Sequence, residues 1–325
     1  MCTSLTLQTQ DFYFGRNLDL EYSFGERVVI TPRRYPFRFR MAPALFAHFA
    51  LIGMAAVAAD YPLYADAANE KGLCMAGLYF PGNAWYPETA EPGKTPISPF
   101  ELIPWLLGQC ATLAEAKIAL QGLQLVNIPF SKDMPLAPLH WHIADRTGSL
   151  VLECTKEGLN IYENPAGVLT NNPPFPFHMT NLRQYLNLTP LYPVSRFGAQ
   201  PALTPFGQGF GALGMPGDFS PASRFVKAAF LRSNSVYRAA GAESVSQFFH
   251  ILDSVAMVPG SVVTAEGKLD VTTYSCCIQA QKGIYYYKTL ENNQITAVNL
   301  FGEDLEAASL SQFPLIKTQQ IAWEN

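Results

Sequence analysis

The second residue of the chain, Cys2 in the opening string MCTSLTLQ, offers a nucleophilic thiol at an unusual position. An initiator methionine is trimmed when the residue after it is small, and cysteine is small enough. Loss of Met1 would leave a thiol and a free α-amine together on Cys2. Because the pKa of an α-amine is about 7.7–8.0, the amine can serve as the base that activates this thiol. The position therefore makes an N-terminal cysteine nucleophile one hypothesis for this chain.

Such a nucleophile needs charged neighbours, and two candidates lie in the next predicted strand. A positive group favours the thiolate, and a carboxylate can hold the amine. The alternating residues 2–8, the short polar QTQ and the string DFYFGRN predict a hairpin that brings Arg16 and Asp19 alongside Cys2. Since residues three apart on a strand face opposite sides, both reach Cys2 only where the strand ends or bulges. The residue pattern alone favours the plainer interpretation, an ordinary penultimate cysteine and a solvated Arg16–Asp19 pair.

Composition places the chain among globular proteins. Of its 325 residues, 49% are hydrophobic and 15% are charged, enough for one large domain or two smaller ones. The net charge of −4 offers no basic surface for nucleic acid. The sequence has no CxxC pair, and it does not begin with a leader in which basic residues precede an apolar stretch. Both features predict reduced thiols in a cytoplasmic protein. The cysteines are Cys2, Cys74, Cys110, Cys154, Cys276 and Cys277.

The apolar run at 41–59 is long enough to suggest a transmembrane helix. It is mostly alanine, however, and it contains Pro43, His48 and Gly53, so its insertion into a bilayer would be weak. A buried strand pair explains the run better, and we expect no stable membrane insertion.

Capping boxes and apolar alternation indicate the remaining elements. Ser98 with Glu101, and Thr112 with Glu115, mark two helix starts. Hairpin-like strands at both ends of the chain predict two stacked antiparallel sheets with helices outside. A proline- and glycine-rich segment at 185–219 is long enough to gate a site or dock a partner. The predicted helices are 98–110, 112–123, 221–233 and 243–257, and the predicted strands beyond the first hairpin are 27–32, 72–80, 139–145, 149–155, 271–281, 284–290 and 295–301.

Several long strings closely resemble the choloylglycine hydrolases (bile salt hydrolases) and their penicillin V acylase relatives, which are N-terminal-nucleophile hydrolases. They include MCTSL, FGRNLDLEYSF, NEKGLCMAGLYFPGNA, GVLTNNP, LGMPGDFSPASRF and KGIYYYKTLENNQITA, and they run through nearly the whole chain. The resemblance implies an α+β fold, a four-layer αββα sandwich in a single domain spanning residues 1–325. It also implies a bacterial cytoplasmic homotetramer, with 185–219 reaching toward neighbouring subunits.

The same resemblance assigns roles to individual residues. It makes Cys2 the nucleophile, Arg16 its neighbouring cation and Asp19 the group that holds the amine. The oxyanion would be stabilised by the backbone N–H of Tyr79 and the side chain of Asn171. Arg224 is a second active-site arginine, and the apolar slot for the substrate would be lined by Leu18, Phe24, Tyr64 and Ala65.

The implied activity is hydrolysis of glycine or taurine conjugates of bile acids, of the glycocholate and taurocholate type, through an acyl-thioester and without a metal or organic cofactor. Tyr79 stands where bile-salt-cleaving members usually carry asparagine, which favours a penicillin V or other N-acyl amide acylase as the alternative. Acyl transfer to an amine and a catalytically inactive apolar-ligand binder are further alternatives. His140 and His142, in the string HWH, are predicted to be buried histidines rather than metal ligands, because too few carboxylates or cysteines accompany them.

Overall fold

The strands of the protein form two large antiparallel sheets in the computed structural model, which describes residues 1–237 and 241–325. The six-stranded sheet has the order β12-β1-β2-β13-β14-β15, and the eight-stranded sheet has the order β11-β10-β9-β6-β5-β4-β3-β16. A short parallel pair, β7 and β8, lies apart from both. The strands are β1 (Cys2–Gln8), β2 (Phe12–Leu20), β3 (Arg27–Thr31), β4 (Leu51–Ala58), β5 (Tyr61–Asn69), β6 (Cys74–Tyr79), β7 (Thr95–Ile97), β8 (Leu123–Leu125), β9 (Leu139–Asp145), β10 (Gly148–Thr155), β11 (Gly158–Glu163), β12 (Val168–Leu169), β13 (Val271–Gln279), β14 (Ile284–Thr289), β15 (Thr296–Asn299) and β16 (Ser311–Pro314).

Helices cover the outer faces of both sheets. The helices are α1 (Leu102–Gln109), α2 (Leu113–Gln121), α3 (Phe175–Asn181), α4 (Pro221–Asn234) and α5 (Ala242–Asp253). Helices α4 and α5 pack on β1, β2 and β13, whereas α1 and α2 pack on strands of the eight-stranded sheet. Strands β1 and β2 in turn contact β6 across the gap between the sheets. The layers are therefore helix, sheet, sheet and helix, and the predicted αββα sandwich is confirmed.

Two apolar clusters stabilise these layers. One fills the space between the sheets and extends to α4 and α5, and it contains Cys2, Leu18 and Phe225. The other lies between the eight-stranded sheet and helices α1 and α2, and it contains Trp105 and Trp141. Strand residues alternate between the two faces of a sheet, so strands of the eight-stranded sheet such as β3, β4 and β6 contribute to both clusters. The nucleophile candidate therefore sits at the inter-sheet core.

The helix starts follow from local chemistry that the sequence contains. The carboxylate of Glu101 accepts a hydrogen bond from the backbone N–H of Ser98 at 3.0 Å. At α2 the hydroxyl oxygen of Thr112 accepts from the backbone N–H of Glu115 at 3.2 Å. Both contacts satisfy amide groups that have no partner within the helix. The predicted starts of these two helices are confirmed.

Two element predictions need correction. The run 41–59 does not form a strand pair: only β4 is a strand, and 41–50 is irregular apart from an isolated bridge between Phe37 and Leu45. Pro43 has no N–H for a ladder, which explains part of the irregularity. Helix α5 ends at Asp253 rather than at residue 257. Among the described residues, the structure contains no helix with the length and apolarity that a membrane crossing requires.

Candidate active site

Cys2 is the first residue of β1 and is almost fully buried, with 4% of its surface exposed. The hairpin register places Cys2 opposite Leu18 and Ser4 opposite Arg16. From that diagonal position the Nη2 atom of Arg16 donates to the Sγ atom of Cys2 at 2.6 Å. The predicted hairpin is confirmed, and it brings the guanidinium directly onto the thiol.

The Arg16 guanidinium is held in place by backbone carbonyls. Its Nη1 atom donates to the carbonyl oxygens of Gly77 at 2.6 Å and of Ala65 at 3.2 Å. Burial lowers the pKa of Arg16, but the ionisable groups of Cys2, Tyr274 and Asp66 together raise it by more, so the net pKa lies above the ordinary value. The group is therefore a fixed positive charge beside the sulfur.

Asp19 lies one residue beyond the last pair of the β1–β2 ladder and is fully buried. Its Oδ1 atom accepts a hydrogen bond from the hydroxyl of Thr272 at 2.6 Å. Its carbonyl oxygen accepts from the α-ammonium of Met1 at 2.6 Å. Within the part of the chain that the structure describes, the buried Oδ2 atom has no hydrogen-bond partner. A buried carboxylate oxygen left without a donor is costly, so this atom is a ready acceptor beside the start of the chain.

Asn171 joins Cys2 to the second arginine of the site, Arg224. Its Oδ1 atom accepts from the backbone N–H of Cys2 at 2.9 Å and from Nη2 of Arg224 at 2.8 Å. Its Nδ2 atom donates to the carbonyl oxygen of Tyr79 at 2.7 Å. A primary amide has two N–H groups, so one N–H of Asn171 remains for another acceptor. Arg224 also donates from Nη1 to the carbonyl oxygen of Cys2 at 2.6 Å.

The backbone N–H of Tyr79 points toward the same place. The next residue, Phe80, donates its N–H to the carbonyl oxygen of Pro138 at 2.8 Å. Successive N–H groups of a strand point to opposite edges, and a residue's N–H and carbonyl share one edge, so the N–H of Tyr79 points to the edge where its carbonyl accepts from Asn171. The pairing of β5 with β6 ends at Ala76, so the β5–β6 ladder does not use this group. The Tyr79 side chain is 43% exposed.

The structure separates the four predicted slot residues. Leu18 belongs to the apolar cluster that contains Cys2, and Phe24 and Ala65 pack against that cluster. Tyr64 belongs to the other cluster, on the helix side of the sheet, and its hydroxyl lies 2.7 Å from that of Thr31. The register of β4 and β5 skips Ala65, so Ala65 shares the inter-sheet face with Asp66 and Tyr64 faces the helices. The structure thus does not bring Tyr64 to Cys2, and its place in the slot stays a prediction.

Three neighbours of this site carried no recognisable signal in the sequence. The carboxylate of Asp270 lies 3.1 Å from the α-ammonium of Met1. Thr272 binds Asp19, and Gly77 binds Arg16 only through its carbonyl. A lone aspartate, a strand threonine and a backbone oxygen are unremarkable in a sequence, and only the assembled sheets bring them to the site.

The two histidines of the HWH string lie in the core, as predicted. His140 and His142 have no exposed surface. The Nδ1 atom of His142 lies 2.9 Å from the hydroxyl of Ser4, and burial lowers the pKa of His142 to about 3. Nowhere in residues 1–237 or 241–325 do three or more histidine, cysteine or acidic side chains gather as a metal would need.

Two antiparallel sheets stacked between helices, with a buried cysteine opening a central strand, define the class of N-terminal-nucleophile hydrolases. The chain belongs to the choloylglycine hydrolase family of linear amide C–N hydrolases, whose profile matches residues 2–313. A bile salt hydrolase/transferase of Lactiplantibacillus plantarum is 50% identical over 315 residues, covering 97% of each protein.

Solved structures agree with this membership. The crystal structure of a conjugated bile acid hydrolase variant from Clostridium perfringens superimposes with a TM-score of 0.92, at 42% identity and with 100% of both chains covered. A penicillin V acylase from Agrobacterium tumefaciens superimposes with a TM-score of 0.76, covering 96% of this chain and 91% of that chain. Its identity of 18% makes it similar in fold alone.

Proposed function

We propose that this protein hydrolyses the amide bond of glycine- and taurine-conjugated bile salts, with Cys2 as nucleophile. The observation that carries the chemistry is the 2.6 Å contact between the buried Arg16 guanidinium and the Cys2 sulfur. The choice of acyl group is supported by the relatives, which are named for bile salts or conjugated bile acids. Neither a metal nor an organic cofactor takes part in the proposed steps.

The first step is the release of the α-amine of Cys2 by removal of the residue before it. The nitrogen of Cys2 already lies 2.9 Å from Oδ1 of Asn171, at the end of a hairpin whose partner strand carries Asp19. The partnerless Oδ2 atom of Asp19 is suited to accept a hydrogen bond from the new amine. The amine then serves as the base and acid that a distant histidine supplies in other hydrolases.

In acylation, the Cys2 thiolate attacks the amide carbonyl, and Arg16 stabilises the thiolate beforehand. The carbonyl oxygen takes up negative charge, which the N–H of Tyr79 and the unused N–H of Asn171 stabilise. The protonated α-amine gives its proton to the departing glycine or taurine nitrogen as the C–N bond breaks, which leaves a thioester on Cys2. Water then loses a proton to the α-amine and attacks the thioester, and this step releases the bile acid and the thiol.

Penicillin V acylase activity is the second candidate function. The side chain of Tyr79 is 43% exposed beside the oxyanion donors, where an aromatic acyl group could stack on it. A saturated steroid has no aromatic face for such a contact. The thioester could also pass its acyl group to an amine other than water, which would make the protein an acyltransferase.

The segment 185–219 supports a proposed homotetramer. It is irregular except at Tyr185, where one short 3-10 helix ends, and at Phe210–Ala212, which form another. Exposed apolar side chains that gather in one segment are typical of a surface that a partner covers. Size-exclusion chromatography with light scattering tests the assembly, and a monomer at micromolar concentration would refute it. The exposed apolar residues of the segment are Leu186, Leu191, Tyr192, Val194, Phe197, Leu203, Phe206 and Leu213.

We further propose a cytoplasmic location, supported by six cysteines that form no disulfide in the structure. Cell fractionation of a bacterium that expresses the protein from its own promoter tests this proposal. Recovery from the medium or the envelope fraction would contradict it.

The deciding experiment compares glycocholate, taurocholate and penicillin V at equal concentration with one purified sample. We expect release of glycine and taurine to exceed release of the penicillin V side chain. Intact mass of the same sample must show that the chain begins at Cys2. Turnover of penicillin V alone would make the second candidate correct, and a retained Met1 with no turnover would favour an inactive binder.

A further inference from the structure

The peptide segment that carries Asn171 is held by two buried imidazoles. Nε2 of His140 lies 3.0 Å from the carbonyl oxygen of Thr170, and Nε2 of His178 lies 3.0 Å from the carbonyl oxygen of Asn171. Since a carbonyl oxygen can only accept, both Nε2 atoms carry a proton and donate it. The two peptide groups that flank the α-carbon of Asn171 are therefore each fixed by one imidazole.

His140 also contacts the strand end that carries Tyr79. Its ring stacks on that of Phe80, with centroids 4.3 Å apart and planes at 4°. Its Nδ1 atom lies 3.1 Å from the carboxylate of Glu153, and neither His140 nor Glu153 has exposed surface. The stacking on Phe80 and the contact with Glu153 together fix the orientation of the ring. Tyr79, whose carbonyl accepts from Asn171, directly precedes Phe80.

His178 makes the corresponding link to α4. Its ring stacks on Phe225, with centroids 4.7 Å apart and planes at 18°. Phe225 directly follows Arg224, which donates to Oδ1 of Asn171 at 2.8 Å. Both rings are fully buried, and burial lowers the pKa of His178 below its ordinary value, so the imidazole is neutral. It is a fixed hydrogen-bond donor and carries no charge into the site.

We propose that His178 and His140 are positioning residues for Asn171: by holding its two flanking peptide carbonyls, they aim its free amide N–H at the oxyanion. This inference rests on the proposed function, which gives Asn171 its oxyanion role. The side chain of Asn171 already makes three hydrogen bonds, to Cys2, Arg224 and Tyr79. A small rotation of its peptide would misdirect the remaining N–H, because oxyanion stabilisation depends on donors placed in advance.

His178 provides the sharper test, since His140 is also paired with Glu153. His178→Phe keeps a ring on Phe225 and removes the donor, and His178→Gln returns an N–H donor near the place of Nε2. His250→Phe is the matched control, because His250 is exposed on α5. We expect His178→Phe to lower kcat for glycocholate by about tenfold to a hundredfold, with KM changed by less than about threefold. His178→Gln should recover most of kcat, and His250→Phe should leave it unchanged.

Coupling to Asn171 separates positioning from general stability. In an Asn171→Ala background, His178→Phe should cost less than about threefold in kcat, because the group that it positions is already gone. The same loss in both backgrounds, a normal kcat in His178→Phe, or a failure of His178→Gln to recover activity would overturn the proposal.

A crystal structure of His178→Phe tests the inference without any substrate. We expect the 2.9 Å contact between Oδ1 of Asn171 and the nitrogen of Cys2 to be lost or lengthened. An Asn171 that keeps its position would overturn the positioning role, even in a protein that cleaves bile salts. A wild-type protein that cleaves no conjugate would refute the proposed function instead, and the crystal structure would still decide the role of His178.

Discussion

The guanidinium of Arg16 donates a hydrogen bond to the sulfur of Cys2 at 2.6 Å, and both residues are almost entirely buried. The hairpin register produces this contact, because it sets Arg16 two residues along β2 from the position opposite Cys2. A fixed positive charge at this distance favours the thiolate form that attacks a carbonyl.

Replacement of Arg16 by leucine should therefore slow both turnover and chemical labelling of Cys2. We expect kcat/KM for glycocholate and the alkylation rate by iodoacetamide at pH 7 each to fall by about tenfold or more, which corresponds to about 1.4 kcal/mol. Arg34→Leu is the matched control, since Arg34 is exposed and pairs with Glu306. Unchanged labelling in Arg16→Leu would show that the guanidinium does not act on the sulfur in solution.

Cys2→Ser should abolish turnover, whereas substitution of any other cysteine should leave catalysis intact. Burial raises the pKa of Cys110 and of Cys154 to about 11, so both remain neutral thiols at pH 7. Cys110→Ala and Cys154→Ala are therefore suitable controls in the glycocholate assay. Near-normal activity in Cys2→Ser is the result that the mechanism cannot accommodate.

A non-cleavable residue added before Cys2 should inactivate the enzyme although the thiol is still present. The nitrogen of Cys2 would remain an amide, which cannot accept a proton near neutral pH, and Oδ2 of Asp19 would keep no partner. Intact mass and iodoacetamide labelling verify the extension and the thiol. An active extended protein would mean that another group is the base, and the buried His140 and His142 would then be the candidates.

Tyr79→Asn should change substrate preference more than the chemical step. In the proposed mechanism the oxyanion donor is the backbone N–H, which asparagine supplies equally, while the exposed phenol ring can stack on a flat aromatic acyl group. Such stacking contributes about 0.5–1.5 kcal/mol, so activity on penicillin V relative to glycocholate should fall by up to about tenfold. The ratio of kcat/KM for the two substrates measures this. A loss of orders of magnitude on both substrates would make the side chain catalytic, and a shift toward penicillin V would make Tyr79 a bile-salt contact.

Asp218 should link the stability of α4, which carries Arg224, to pH. Hydrogen bonds from Ser220 and Ser223 lower the pKa of Asp218 to about 2. A carboxyl whose pKa is depressed by folding stabilises the protein above its unfolded value of about 3.9, and the contribution is lost as the pH falls toward 2. Asp218→Asn should thus lower the free energy of unfolding at pH 6, by less than about 1 kcal/mol for an exposed group, and by less still at pH 3. Urea denaturation at the two pH values measures the difference, and an equal effect at both would contradict the linkage.

The local structure, and the chemistry available at Cys2, follow from short-range patterns in the sequence. The hairpin from Cys2 to Leu20 follows from alternation within two short strings, and the helix starts at Ser98 and Thr112 follow from their capping partners three residues on. These patterns are readable because each contact joins residues close together in the chain. The run 41–59 is ambiguous at this short range, since alanine-rich apolar residues fit a strand pair, a helix or an irregular buried segment.

Which distant residues meet at Cys2 depends on how the whole chain packs. Asn171 and Arg224 lie 169 and 222 positions away in the chain, and no periodicity links them to Cys2; their assignment came from resemblance to a family. The pairing of β12 with β1 and the packing of α4 on β1 bring the loop after β12 and Arg224 to the start of β1. A one-residue skip in β5 places Tyr64 on the helix side of its sheet and leaves Ala65 on the side of Cys2. Such contacts depend on strand register and on layers closing over long stretches of chain. They are therefore properties of the whole fold, which local residue preferences do not encode.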